Sequence, residues 1–153
     1  MLTAQDIMTK ETITVTPDTD ITEAAKLLLE NRINGLPVVD KTGKLLGIIC
    51  QSDLITAQKR IPLPSLFTIL DSVVSFSSHQ YEREMEKLSA VKVSQSMTTD
   101  VVSVGPDESL ENIASMMVDR KFHTLPVVKK GMLVGVIGKE DVLRTLIESK
   151  KSE

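Results

Sequence analysis

Two aspartates, Asp53 and Asp141, stand in matching surroundings. One closes the run Ile48-Ile49-Cys50-Gln51-Ser52-Asp53, the other Val136-Ile137-Gly138-Lys139-Glu140-Asp141. A helix is expected from about Ser52 and from about Lys139, which puts each carboxylate in a first helical turn. A carboxylate there can accept from two vicinal hydroxyls, as on a sugar. The free N–H groups and partial positive charge of the helix start suit a phosphate. The same residue also serves as a helix cap or a favourable first-turn charge, and residue type alone leaves both readings open. The rest of the chemical inventory is thin. The single cysteine, Cys50, reads as a small buried residue. There is no CxxC or Cys/His cluster for zinc, no nucleophile–base set and no phosphate-loop lysine motif, so an enzyme is not expected.

The elements that position the aspartates occur twice. Residues 8–39 run from Met8-Thr9 through Val15-Thr16-Pro17-Asp18 to Leu36-Pro37-Val38-Val39; residues 97–128 run from Met97-Thr98 through Val104-Gly105-Pro106-Asp107 to Leu125-Pro126-Val127-Val128, an offset of 89. After one deleted residue the offset is 88, and Gly43, Leu45, Gly47, Ile49 and Asp53 match Gly131, Leu133, Gly135, Ile137 and Asp141. Chance rarely gives so many matches with one gap, and internal repeats decide architecture.

Each repeat predicts the same elements. Ile13 to Val15 and Val102 to Val104 are short β-rich runs. Asp20 and Ser109 are good N-caps, with Glu23 placed for a capping box. Ile21, Ala24, Ala25, Leu28 and Leu29, and in the second repeat Leu110, Ile113, Ala114, Met117 and Val118, have the spacing of a helix with one buried face. Leu36-Pro37-Val38-Val39 and Leu45 to Ile49 flank a short Gly-containing turn, as do Leu125-Pro126-Val127-Val128 and Leu133 to Ile137, and read as β-hairpins. The expected fold is α/β: two β-α-β-β-α units packed sheet to sheet as a pseudo-twofold pair, since one such unit buries too little surface alone.

Composition agrees and excludes some partners. Hydrophobic residues make up 41% of the 153, aromatics only 3%, and the net charge is −3. Near-balanced charge and one tyrosine argue against a nucleic-acid partner. No apolar run approaches the ~18 residues of a membrane helix, and MLTAQDIMTK lacks the layout of a signal peptide. With a lone cysteine, this predicts a cytoplasmic protein without a membrane partner.

The order of these motifs, a hydrophobic-Pro-Val-Val-Asp before the turn and Gly-hydrophobic-hydrophobic-x-x-x-Asp after it, resembles the CBS (cystathionine-β-synthase-type) domain over roughly residues 5–58 and 94–148. Singly the motifs are weak; repeated in order they are strong. The resemblance implies a Bateman module: an intramolecular pair that commonly dimerises and binds AMP, ADP, ATP or S-adenosylmethionine, regulating an unknown partner in trans, here with no cofactor required. The alternative is a ligand-free interaction module on the same fold. The family pattern is hydrophobic-x-[Ser/Thr]-x-x-Asp, with the hydroxyl on phosphate or ribose and the Asp on ribose. Both Asp are present, but Cys50 and Gly138 replace the hydroxyl residues. The implied ligand site comprises Ile13 and Val102 against adenine, the pre-proline pairs Asn34-Gly35 and His123-Thr124, Ile48, Cys50 and Asp53, and Val136, Gly138 and Asp141. In some relatives a His at the position of His123 meets phosphate, and this favours the Asp141 site. Arg32, Arg120 and Lys121 read as helix-end charges that could also reach a phosphate. Between the repeats, residues 59–94 are expected to hold two short amphipathic helices, one on Leu66, Ile69, Leu70, Val73 and Val74 and one on Tyr81, Met85 and Leu88.

Overall fold

The computed structural model describes residues 1–60 and 91–151. The insert helices expected within 59–94 fall almost wholly outside the described residues. The elements in order are α1 (Ala4–Ile7), α2 (Ile21–Asn31), β1 (Gly35–Val39), β2 (Leu45–Cys50), α3 (Gln51–Arg60), a 3-10 turn at Val93–Gln95, α4 (Leu110–Asp119), β3 (Thr124–Lys129), β4 (Met132–Gly138) and α5 (Lys139–Lys151). Helix 1 and the 3-10 turn occupy equivalent places in the two repeats, as do α2 and α4, the two hairpins, and α3 and α5.

The hairpins form as the sequence predicts. β1 and β2 pair antiparallel with Leu36 opposite Ile49, and β3 and β4 with Leu125 opposite Ile137. In the first turn the Asp40 carboxylate accepts from the Thr42 and Lys44 N–H groups at 2.9 and 3.0 Å, and Gly43 takes a left-handed φ of 94° that a side chain would oppose. The expected leading strands are shorter than predicted. Only Val15 and Val104 pair, each through a parallel bridge, to Val38 and Val127. The Pro that follows each run two residues later has no N–H to extend a ladder.

The helix faces also need one correction each. Ile21, Ala24, Ala25 and Leu28 are buried, but Leu29 and its equivalent Val118 point outward at 52% and 76% exposure. Ser109 caps α4, its hydroxyl accepting from the Asn112 N–H at 3.2 Å. Asp20 precedes α2 without a side-chain cap, and no capping box with Glu23 forms. Its carboxylate instead pairs with the Lys92 ammonium, which an antiparallel bridge between the two residues brings alongside.

The two repeats exchange their leading segments. The first core joins Leu28, Leu36, Val38 and Ile49 to Val91 and Val93, and the second joins Ile113, Leu125, Val127 and Ile137 to Ala4. Val91 and Val93, buried across this exchange, are each worth about 1.5–3 kcal/mol and the Ala4 methyl about 0.8 kcal/mol, so each repeat's core draws on residues of the other. Val91 and Val93, which precede the second repeat expected from 94, lie in the first core. Backbone bonds fix the crossing. Thr9 N–H donates to Val136 O at 2.8 Å and Thr98 N–H to Ile48 O at 2.8 Å, while Leu45 and Leu133 donate to Gly131 and Gly43 across the axis, both at 3.1 Å. Gly47 and Gly135 stand under the crossing segments. A Cβ on Gly47 would meet Thr98 O at 2.8 Å, and one on Gly135 would meet Met8 Cγ at 2.8 Å.

Candidate functional site

The exchange creates two clefts between the repeats. The Asp141 cleft, of about 190 Å³, takes Thr9, Ile13, Asn34 and Gly35 from the first repeat and Val136, Gly138 and Asp141 from the second. The Asp53 cleft, of about 470 Å³, takes Ile48, Cys50 and Asp53 from the first repeat and Thr98 and Val102 from the second. His123 and Thr124 line both, and so does Asn34. All twelve residues singled out in the sequence thus lie on one of the two walls or on the partition. Their grouping differs from a reading repeat by repeat. Ile13 lines the Asp141 cleft and Val102 the Asp53 cleft: the start of each leading segment bridges the other repeat's hairpin, Thr9 to Val136 and Thr98 to Ile48, while its end returns to its own, Val15 to Val38 and Val104 to Val127. Arg32 and Lys121, at equivalent positions and both with left-handed backbones (φ 53° and 58°), reach the Asp141 and Asp53 clefts respectively. Arg120 lines neither wall.

Both aspartates cap the helices that carry them. Asp141, only 8% exposed, accepts from the Gly138 N–H at 2.8 Å, from the Thr9 hydroxyl at 3.3 Å and from the Arg144 guanidinium at 3.3 Å. Asp53 accepts from the Cys50 N–H at 2.7 Å and from the Thr98 hydroxyl at 3.1 Å. The first N–H of each helix is also held by its own repeat: Gln51 donates to Asn34 O at 3.1 Å and Lys139 to His123 O at 3.2 Å. These bonds tie the pre-proline loop, the helix start and the carboxylate into one rigid corner. A carboxylate offers about four acceptor positions, so Asp53 with two bonds keeps room for a diol.

The two positions that lack the family's hydroxyl residue sit in matching places of the two hairpins. Gly35 is the register partner of Cys50, and Thr124 of Gly138. A Cβ on Gly35 would meet Cys50 Sγ at 3.1 Å. In each hairpin, then, a small residue faces a larger one, but in opposite order. The Asp53 cleft gains a thiol wall, and the Asp141 cleft gains a threonine where a glycine opens the backbone. Burial, together with the Asp53 charge, pushes the Cys50 thiol up to about 11. That keeps it protonated and poorly nucleophilic at neutral pH.

Sequence reasoning missed Thr9, Thr98 and Arg144. The two threonines were visible as the Met-Thr that opens each repeat, and a repeated polar residue of no assigned role was the available signal. Arg144 sits one turn beyond Asp141, a spacing that pairs side chains on a helix. Among the described residues no group of His, Cys, Asp and Glu could hold a metal ion, and no helix is long and apolar enough to cross a membrane.

Paired hairpins, exchanged leading segments and two equivalent clefts define a tandem α/β module. The CBS domain family matches residues 4–60 and 90–148, and the chain belongs to that family. It is 30% identical over 152 residues to the uncharacterized protein MJ1426 of Methanocaldococcus jannaschii, covering 94% of this chain and 90% of that protein. It is 33% identical to the chloroplastic CBS domain-containing protein CBSX1 of Arabidopsis thaliana, covering 98% of this chain but 66% of that one. Among solved structures, the CBSX2 protein in complex with AMP superposes with a TM-score of 0.74 at 26% identity, covering 98% of this chain and 99% of that chain. The CBS domain pair of protein MJ0100 in complex with 5′-methylthioadenosine and S-adenosylmethionine gives a TM-score of 0.71 at 27% identity, covering 97% and 98%.

Proposed function

We propose that this CBS pair is a cytoplasmic regulatory module that binds an adenosine-containing ligand between its repeats and signals the change to a partner protein in trans. The observation that carries this reading is the convergence of the twelve candidate residues on two equivalent clefts, each with a carboxylate held at a helix start. The AMP complex of one structural relative and the methylthioadenosine and S-adenosylmethionine complex of another support the ligand class. In each cleft an apolar residue, Ile13 or Val102, offers a face for adenine, and the aspartate offers acceptors for ribose. Thr124 supplies a hydroxyl beside Gly138, where the family pattern has Ser or Thr. The raised Cys50 thiol supports a binding role over nucleophilic catalysis.

The module is read as a homodimer. Leu29 and Val118, and Ile55 and Leu143, are equivalent pairs on exposed helix faces at 52–76% exposure. Repetition of outward apolar positions on both halves fits a surface made to meet its own copy.

Thermal shift against AMP, ADP, ATP, S-adenosylmethionine and 5′-methylthioadenosine tests the ligand class, because a ligand at a hundred times its Kd stabilises by about 2.7 kcal/mol. Asp141→Asn keeps an oxygen for the Gly138 N–H and removes the charge. It should weaken an adenosine ligand in that cleft by about ten- to a hundredfold, since hydrogen bonds to a charged group are worth about 1.5–3 kcal/mol. No stabilisation by any of these compounds would favour the alternative, a ligand-free interaction module.

A further inference from the structure

The two clefts share a plan but not a charge. The Asp141 cleft carries three cations, Arg32, Lys139 and Arg144, against three carboxylates, Glu11, Glu140 and Asp141. The Asp53 cleft carries one lysine or arginine, Lys121, against two carboxylates, Asp53 and Asp100. The difference lies in the helix starts. Where α5 has Lys139 and Arg144, the equivalent positions of α3 have Gln51 and Thr56. The leading segments do not compensate, since Glu11 and Asp100 are equivalent and both acidic.

The cations of the Asp141 cleft are placed to reach a ligand. Arg32 caps the end of α2 with its N–H on Leu28 O and lines the cleft wall. Arg144 rests on the Asp141 carboxylate at 3.3 Å with its side chain 59% exposed. A partly exposed pair of that length is weak, and a phosphate that binds a guanidinium through two parallel bonds can draw it away. That movement would also widen the narrower cleft and return an acceptor of Asp141 to the ribose. The Asp53 cleft has the opposite character. It is wider, one wall is a protonated thiol, and its two carboxylates outnumber its lysine.

We infer that the two clefts divide adenosine ligands by charge: the Asp141 cleft takes a 5′-phosphorylated adenosine, and the Asp53 cleft takes an adenosine whose 5′ substituent is neutral or positive. This rests on the proposed adenosine reading and adds to it which cleft serves which chemistry. The chain would then compare two ligand classes at once.

Calorimetry with AMP and 5′-methylthioadenosine on the full chain tests the division. Each probe should bind one site per chain, and saturating either should leave the other's affinity within a fewfold. Arg32→Gln should weaken AMP by about tenfold or more, equivalent to about 1.4 kcal/mol, and spare methylthioadenosine. AMP affinity should fall with added salt, as screening of a charged ligand requires, while methylthioadenosine affinity holds. Gln51→Lys with Thr56→Arg, which copies the cations of α5 onto exposed positions of α3, should raise AMP stoichiometry from one to two. Competition of the two probes for one site, or equal loss of both in Arg32→Gln, would overturn the division while leaving the adenosine reading intact. Failure of both probes to bind the wild-type chain would end the adenosine reading itself and the division with it.

Discussion

Replacing Gly47 with alanine should separate the two repeats' packing from their individual folds. Gly47 lies in β2 beneath the crossing segment of the other repeat, and its φ is not left-handed, so the backbone itself tolerates alanine. The new Cβ would meet Thr98 O at 2.8 Å and Met97 Sδ at 3.1 Å. The first contact is backbone and cannot rotate away. The crossing segment must lift, straining the Ile48 N–H to Thr98 O and Thr98 N–H to Ile48 O bonds of 2.9 and 2.8 Å. Overpacking costs about 1–3 kcal/mol, and each weakened bond up to about 1 kcal/mol. Loss of glycine's unfolded-state freedom offsets about 0.4–1 kcal/mol. The net loss should be about 2 kcal/mol, or roughly 4–8 °C in Tm for a chain of this size. The lifted segment also carries Thr98 off Asp53, so the Asp53 cleft should change with it. Gly135→Ala should cost a comparable amount, because its new Cβ meets Met8 Cγ at 2.8 Å and Met8 Cβ at 3.1 Å, close to the backbone of the crossing segment. Gly105→Ala is the control: nothing lies within 4 Å of its Cβ, and it should be neutral or slightly stabilising. Denaturant titration of the three variants checks the order. Gly47→Ala as stable as Gly105→Ala would refute the crossing as a structural constraint.

Other expectations concern the thiol and the assembly. Cys50, raised from 9.0 to about 11, should be alkylated at pH 8 about a hundredfold more slowly in the native chain than in denaturant, since the thiolate is the reacting form. Its folded pKa lies above its unfolded one, so the stability it contributes is intact below pH 9 and falls as pH rises from 9 toward 11; mass spectrometry after timed alkylation and melts at pH 8 and 10.5 check the two statements. Light scattering at tens of micromolar should give a dimer mass, and Ile55→Glu with Leu143→Glu, which places charge on both outward faces, should give a monomer with an unchanged far-ultraviolet spectrum.

The sequence revealed whatever depended on local pattern. The hairpins followed from two apolar runs around a glycine turn, and α2 from Ile21, Ala24, Ala25 and Leu28 at helical spacing. The twelve candidate residues came from the resemblance to the CBS family, carried onto equivalent positions of both repeats, and they line the two clefts. What stayed hidden depended on partners distant in the chain. Nothing local distinguishes a capping Asp20 from one that pairs with Lys92, 72 residues away. Nothing local shows that Ile13 lines the cleft of Asp141 and Val102 that of Asp53, because this depends on Thr9 and Thr98 crossing to the other repeat's hairpin before each segment returns to its own. Gly47 and Gly135 were visible as matched glycines, but the reason for the match is a contact between repeats.

The capping and ligand readings of the two aspartates, left as rivals by residue type, are compatible once the bonds are counted. A carboxylate that caps its helix through one oxygen is oriented before any ligand arrives, so binding need not pay the entropy of ordering it. Asp53 illustrates the arrangement: Oδ2 is fixed by the Cys50 N–H, and Oδ1 takes only the Thr98 hydroxyl at 3.1 Å. Thr98 belongs to the other repeat. A ribose that competes for Oδ1 therefore acts directly on the segment crossing between repeats, which is also bonded to Ile48 and packed over Gly47. Asp141, Thr9, Val136 and Gly135 are arranged alike in the second cleft, except that Asp141 Oδ1 also accepts from the Arg144 guanidinium at 3.3 Å. On the proposed adenosine reading, the carboxylate that would accept from the ribose is one end of a contact that holds the two repeats together, so occupancy would bear directly on the relation between them.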